Sequence, residues 1–351
     1  MSGLLLVSLV ALIFVVLYQV ARSSEMVARI QGEEVFDKKR NKILAYSMLV
    51  LMVAFFGGLY ACHVYMMPLM APEAASDHGK NYDNMLYYTI IITGIVFVIT
   101  QLLLFWFSFK YHRTGEKIPF NFTHSNKLEM IWTTIPAMTM AVLVAFGLKA
   151  WFTMTAPAPK GAMQVEIIGK QFNWITRYPG PDGVLGKRYF TNISDKDNIL
   201  GLDWKDAKNM DDIIIPNGEL RLVKDKPVEL IIGSRDVIHD VGLSHFRMKM
   251  DAVPGITTRM WFTPIFTTRE MQEKTGNPDF VYEISCDQMC GKGHYSMRAI
   301  VIVETQAEHN IWLKKQQSYY AQNHVEDSSA IKAPLQDSVK TITMNTKKDK
   351  I

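Results

Sequence analysis

Cys286-Asp287-Gln288-Met289-Cys290-Gly291-Lys292-Gly293-His294-Tyr295-Ser296-Met297 sets two thiols, an imidazole and a thioether in the order C-x3-C-x3-H-x2-M. Soft sulfur donors with imidazole select copper or zinc over hard cations. A Cys, then a His, then a Met matches copper sites in which thiolate and imidazole bind strongly and the thioether weakly along the axis. One copper would leave one thiolate too many. Two thiolates this close can instead bridge two metals, each of which then needs one more strong ligand. His294 supplies one, and a histidine from another loop must supply the other.

Ser234-Arg235-Asp236-Val237-Ile238-His239 offers that histidine, and Lys249-Met250-Asp251-Ala252-Val253-Pro254-Gly255 follows it. With D-V-x-H, K-x-D-A-x-P-G and the cysteine loop together, the chain resembles subunit II of bacterial haem–copper cytochrome c oxidases over roughly residues 86–320. The resemblance implies a dinuclear copper centre, CuA, with Cys286 and Cys290 as bridging thiolates and His239 and His294 as terminal imidazoles. Met297 and the backbone carbonyl of Gln288 then correspond to the weak ligands. Read from the residues alone, Cys286 and Cys290 also fit a disulfide in an oxidising compartment. His294 and Met297 also fit ordinary strand packing, and His245 is a rival to His239 as the second imidazole.

The chain has 351 residues, 48% of them hydrophobic, a net charge of +4 and three cysteines. The small, scattered charge argues against a nucleic-acid surface, and three cysteines do not make a disulfide scaffold. Cys286 and Cys290 lack the C-x-x-C-H form of covalent haem attachment. The 21 methionines read as apolar filler.

Four apolar runs precede residue 155, at roughly 3–21, 43–67, 86–109 and 130–152. Each reaches the ~20 residues a helix needs to cross a bilayer. The first lacks a basic flank and an A-x-A site, so a retained span is expected in place of a signal peptide. Cys62, near the end of the second, reads as a free cysteine in a membrane helix. Lysine and arginine cluster in 22–42 and 110–129, whereas 71–85 holds only Lys80. Basic loops stay inside, which puts everything after residue 153 outside, in the periplasm.

After Ala156-Pro157-Ala158-Pro159 the periodicity becomes two, with β-rich runs at Val165–Ile168, Pro227–Ile232, Met260–Thr263 and Arg298–Val303. Short strands bounded by turn signals indicate a sandwich or barrel. The resemblance implies a cupredoxin-like Greek key. Residues 191–212 carry six aspartates, and read either as a solvated loop or as an acidic patch that steers a basic cytochrome c. The expected organisation is a two-span membrane extension over 1–70, a helical hairpin over 86–153, the copper domain over 160–305, and a helix at about 306–320 followed by a disordered tail from Asp327.

Four further positions take roles from the resemblance. Gly169-Lys170-Gln171-Phe172-Asn173-Trp174 stands where the family has G-x-Q-W-x-W, so Phe172 replaces the tryptophan that receives electrons and Trp174 keeps the second one. Core packing explains Trp174 equally well. Glu129 matches the carboxylate at the mouth of a proton pathway, although Asn126 and Glu129 also form a helix capping box on paper. Gln288 replaces a glutamate that helps hold a magnesium ion at the contact with subunit I, and a neutral amide is a poorer ligand for a hard cation.

The function implied is that of the electron-accepting subunit of a proton-pumping oxidase in the bacterial cytoplasmic membrane. Its partners would be subunit I, the other oxidase subunits, and either cytochrome c or a haem c domain tethered to a complex such as alternative complex III. A CuA subunit of a nitric oxide reductase is the alternative within this class. A membrane-anchored copper chaperone is the alternative outside it.

Overall fold

A computed structural model describes residues 2–31, 33–67, 70, 72–113 and 123–324. Lys117 and the tail from Asp327, expected to be disordered, lie outside these residues. The chain divides into two compact units, Met1–Glu73 with Lys80–Trp151, and Ala74–Gly79 with Phe152–Ile351.

The first unit is helical, with α1 (Ser2–Gln31), α2 (Glu33–Met66), α3 (Asp77–Lys110) and α4 (Asn126–Thr155). Three stretches are long and apolar enough to cross a membrane among the described residues: Asp37–Met66, Asp77–Lys110 and Asn126–Thr155. The first apolar run is also helical, as α1. These helices are apolar all round, as helices in lipid are, and leave Val96 and Phe146 57% and 59% exposed. Cys62 is free and exposed on α2. The start of α4 differs from the expected capping box. Ser125 is the cap, its Oγ accepting from Leu128 N, while the Glu129 carboxylate accepts from Ser125 N and contacts His124 Nδ1 at 2.9 Å.

Among the described residues the second unit holds ten strands: β1 (Met163–Lys170), β2 (Asn173–Tyr178), β3 (Ile213–Ile215), β4 (Leu220–Val223), β5 (Val228–Ser234), β6 (His239–Leu243), β7 (Met248–Ala252), β8 (Thr258–Phe262), β9 (Tyr282–Cys286) and β10 (Arg298–Glu304). They form two five-stranded sheets, in the orders β3-β2-β1-β5-β8 and β4-β10-β9-β6-β7. β1 runs parallel to β5 and β4 parallel to β10; the other pairs are antiparallel. Buried Phe246 joins the sheets, its ring 4.9 Å from Phe262 of β8 and 4.8 Å from Tyr282 of β9. This is the cupredoxin-like sandwich that the resemblance implies. Four strand runs were legible from composition. The remaining strands are short or carry polar residues that hide the alternation, as in His239-Asp240-Val241-Gly242-Leu243.

Residues 191–212 are solvated in part, with Asp195, Lys196 and Asp197 exposed, and anchored in part, with Asn198, Asn209 and Asp212 buried. Buried Asp212 pairs with buried Arg177, which also binds Glu166 at 2.9 Å and the Asn209 side chain at 2.7 Å. Asp195 pairs with Lys170 and Arg235 at 2.9 and 2.8 Å. Asp203, Asp206 and Asp211 accept from backbone N–H groups of Lys205, Lys187 and Asp182. Asp195 and Asp212 are thus paired with cations, whereas Asp203, Asp206 and Asp211 are tied to the backbone and keep their charge.

The segment after β10 also departs from expectation. One helix over 306–320 is replaced by α6 (Gln306–Lys315), after α5 (Thr268–Thr275), and a short α7 (Tyr319–Asn323). Thr305 and Glu308 form a capping box on α6, and Ser318 caps α7, which restarts the chain after an extended Gln316.

Candidate metal centre

Cys286 is the last residue of β9, and the ladder aligns it with Val241 of β6. His239 is the first residue of β6 and pairs with Ala252 of β7. The two ligand loops therefore leave neighbouring strands of one sheet at the same end. From Cys286 the chain turns through Cys290 into a single 3-10 turn, His294–Ser296, closed by a Met297 N–H bond to the His294 carbonyl. That turn delivers Met297 inward immediately before β10. His239, Cys286, Cys290 and Met297 are buried, and His294 is partly exposed.

The donor atoms form a continuous chain. His239 Nδ1 lies 3.8 Å from Cys286 Sγ, which lies 3.8 Å from Cys290 Sγ, which lies 3.6 Å from His294 Nδ1. Each thiol has one weaker donor beside it. The Gln288 carbonyl is 3.3 Å from Cys286 Sγ, and Met297 Sδ is 3.8 Å from Cys290 Sγ. In a tetrahedral site with metal–sulfur bonds of about 2.3 Å and metal–nitrogen bonds of about 2.0 Å, neighbouring donors stand about 3.5–3.8 Å apart. The spacing and the donor set thus fit a soft transition metal. His239, Cys286 and Cys290 have ligand atoms within 4.8 Å of one another. Both cysteines are free, so the disulfide reading does not describe this chain. Burial, then the adjacent Cys286 sulfur, pushes the Cys290 thiol up to about 11. Its proton must therefore leave when a metal binds.

Asp236 orients His239. A carboxylate can only accept, so the 2.8 Å contact between Asp236 Oδ1 and His239 Nε2 puts the ring hydrogen on Nε2 and leaves the Nδ1 lone pair facing the sulfurs. Burial opposes ionisation of Asp236, but the Gln171 N–H, the His239 ring and the Val237 N–H hold its carboxyl below the ordinary range. The rival imidazole, His245, stands elsewhere. It packs edge-on against Phe280 and Tyr282 at 5.1 and 5.3 Å, and burial lowers its basicity.

The two aromatic candidates flank the centre on different sides. Phe172 is 39% exposed, and its ring lies so close to Gly293 that a Cβ there would stand 2.5 Å from it. Trp174 is fully buried, its ring 5.9 Å from that of His239. Gly169 of β1 leaves room for His239, since a Cβ at that position would meet the imidazole at 2.6 Å. The Gln288 side chain is exposed. Glu129 belongs to the helical unit.

Asp236, Gln171 and Gly169 stand inside the sequence motifs but have no role legible from the motifs alone. Only Asp236 carried a signal, as a carboxylate three residues before a histidine ligand.

Comparison with known proteins bears on this site. The family described as "Cytochrome C oxidase subunit II, transmembrane domain" matches residues 63–150, and "Cytochrome C oxidase subunit II, periplasmic domain" matches residues 163–305. "Alternative cytochrome c oxidase subunit 2" of Bradyrhizobium diazoefficiens is 34% identical over 277 residues, covering 79% of this chain and 93% of that protein. "Cytochrome c oxidase subunit 2" of Cereibacter sphaeroides is 25% identical over 258 residues, covering 71% of this chain and 78% of that protein. The crystal structure of the periplasmic domain of a Bradyrhizobium japonicum cytochrome oxidase subunit II is similar with a TM-score of 0.30 and 23% identity, covering 44% of this chain and 94% of that one.

Proposed function

The chain belongs to the cytochrome c oxidase subunit II family, and on that premise we propose that it is the electron-accepting subunit of a proton-pumping oxidase, holding a dinuclear copper centre. The observation that carries this reading is the symmetry of the donor chain. Two thiols stand at its middle, 3.8 Å apart, and each end supplies one imidazole and one weaker donor. A single four-coordinate metal would leave one imidazole and one weaker donor idle. Cys286 and Cys290 would bridge two copper ions, His239 and His294 would cap them, and Met297 and the Gln288 carbonyl would bind weakly. Bound there, the pair would supply one-electron chemistry between a cytochrome c or a tethered haem c domain and subunit I, where dioxygen becomes water.

The protein's own contribution is rigidity and insulation. His239 and Cys286 are fixed by strand ladders, and Asp236 sets the His239 tautomer. Phe172 offers an aromatic edge at the surface beside the His294 loop, and Trp174 fills the interior beside His239. Phe172 is the point of contact with the donor, and Trp174 supports the ligand. Gln288 presents an exposed neutral amide, so this position lends no carboxylate to a magnesium ion. Glu129, bound to His124 at the start of α4, is the carboxylate assigned to proton uptake.

Copper analysis of the purified full-length chain tests the reading. Two coppers per chain, with an electron-spin spectrum showing one unpaired electron shared between two copper nuclei, are expected. One copper with single-nucleus hyperfine structure sinks it.

A further inference from the structure

Gln171 lies in the turn between β1 and β2, outside both ligand loops, and holds both. Its side-chain amide donates to the Cys290 carbonyl at 2.5 Å. Its backbone N–H donates to Asp236 Oδ2 at 2.7 Å, and the other oxygen of that carboxylate holds the His239 ring. Cys286 needs no such support, because the β6–β9 ladder fixes it. Cys290 comes four residues later, beyond any strand.

We propose that Gln171 is a positioning residue for the metal centre, clamping the loop that carries Cys290 to the loop that carries His239. The proposal rests on the copper-pair reading above. An amide suits the task because it donates to a carbonyl without placing a net charge near the sulfurs. A carboxylate of the same length cannot donate, and an apolar side chain of the same length offers nothing. The clamp also adjoins Phe172, so the surface turn that carries the exposed ring is tied directly to the backbone of one bridging cysteine. Motion of that turn is thereby restrained along with the ligands.

The test uses the full-length chain in detergent with Gln171→Met and Gln171→Glu. In the metal-free protein, alkylation of Cys290, followed peptide by peptide, is expected to quicken about fivefold relative to Cys286, the gain in local opening that loss of one hydrogen bond allows. In the copper-loaded protein, retention against a chelator is expected to fall about tenfold or more, with altered copper hyperfine couplings. Thermal unfolding of the metal-free protein identifies a variant that fails to fold, in which case the other one decides. Unchanged alkylation, retention and spectrum in a folded variant overturn the clamp. A wild-type chain without the two-copper spectrum overturns the parent reading instead, while the alkylation comparison still judges the clamp.

Discussion

His239 Nε2 stands 2.8 Å from Oδ1 of Asp236, three residues earlier in the same loop. That contact turns a histidine with two equivalent-looking nitrogens into a ligand with one defined donor. The ring is fully buried, out of contact with bulk solvent. A carboxylate placed behind an imidazole in this way would raise its basicity as a metal ligand.

Asp236→Asn removes the charge and keeps the shape. Copper affinity should fall about ten- to a hundredfold. The midpoint potential should rise, since a lost negative charge near the metals favours the reduced, less positive state. Chelator competition and a redox titration of the full chain check both, and an unchanged potential would refute the assignment of Asp236 as the orienting group.

Gly169→Ala would place a methyl group 2.6 Å from His239 Cδ2. Overpacking of this kind costs about 1–3 kcal/mol, and here the imidazole must move to relieve it. Both a lower melting temperature and weaker copper retention are expected. A variant that melts earlier yet keeps full copper retention would show that the strain is relieved elsewhere.

Arg177 is the cation between two buried carboxylates, Glu166 and Asp212. Burial pushes Asp212 up to about 6 even beside Arg177, whereas Arg188 and Arg177 together overcome the burial of Glu166 and lower it. Arg177→Leu strands Asp212 and leaves Glu166 with Arg188 alone, and should cost about 3–5 kcal/mol, most of it regained when Glu166→Gln and Asp212→Asn are added. Denaturant melts of the single and triple variants measure this.

Tyr178 is buried, and its hydroxyl accepts from Arg221 N at 2.6 Å. Burial raises its pKa above the ordinary value. A raised folded-state pKa means that the folded protein keeps a proton the unfolded chain releases. The stabilisation is therefore complete below the unfolded value of about 10 and declines as pH rises through it. Tyr178→Phe should be less stable at neutral pH by about 1–3 kcal/mol, the cost of an unpaired N–H, and should show a flatter alkaline decline. Melting curves from neutral pH to strong alkali, compared with wild type, would expose a missing difference.

Gln288→Glu changes the side chain and leaves the carbonyl that lies 3.3 Å from Cys286 Sγ. The optical spectrum of the copper-loaded chain should be unchanged. In the assembled oxidase the new carboxylate should tighten binding of a hard divalent cation, which manganese substitution and spin resonance can follow. A shifted copper spectrum would mean that the side chain itself reaches the metals.

The cysteine loop was legible because its ligands are close in sequence: a single 3-10 turn brings His294 and Met297 back to the thiols whatever surrounds it. The membrane helices were legible for a similar reason, since a run of apolar residues reports its solvent without reference to partners. The C-terminal helix was less so. Its composition is helical throughout, and the break at Gln316 depends on where Ser318 caps the next turn.

The aspartates of 191–212 show the limit of reading charge along a chain. Six acids among three lysines look solvated, yet Asp212 reaches Arg177 across 35 residues and Asp195 reaches Arg235 across 40. Sequence spacing does not encode those partners.

By itself, the sequence determined the donor types, their order and the side of the membrane on which they work, because each follows from local spacing or from the balance of apolar and basic residues. The tertiary structure decided which nitrogen His239 presents to the thiols and which neighbours hold it. His239 rather than His245 meets Cys286 because β6 begins beside the end of β9, while the chain six residues on has already turned into an aromatic pocket. Strand pairing brings the two side chains together across 47 residues.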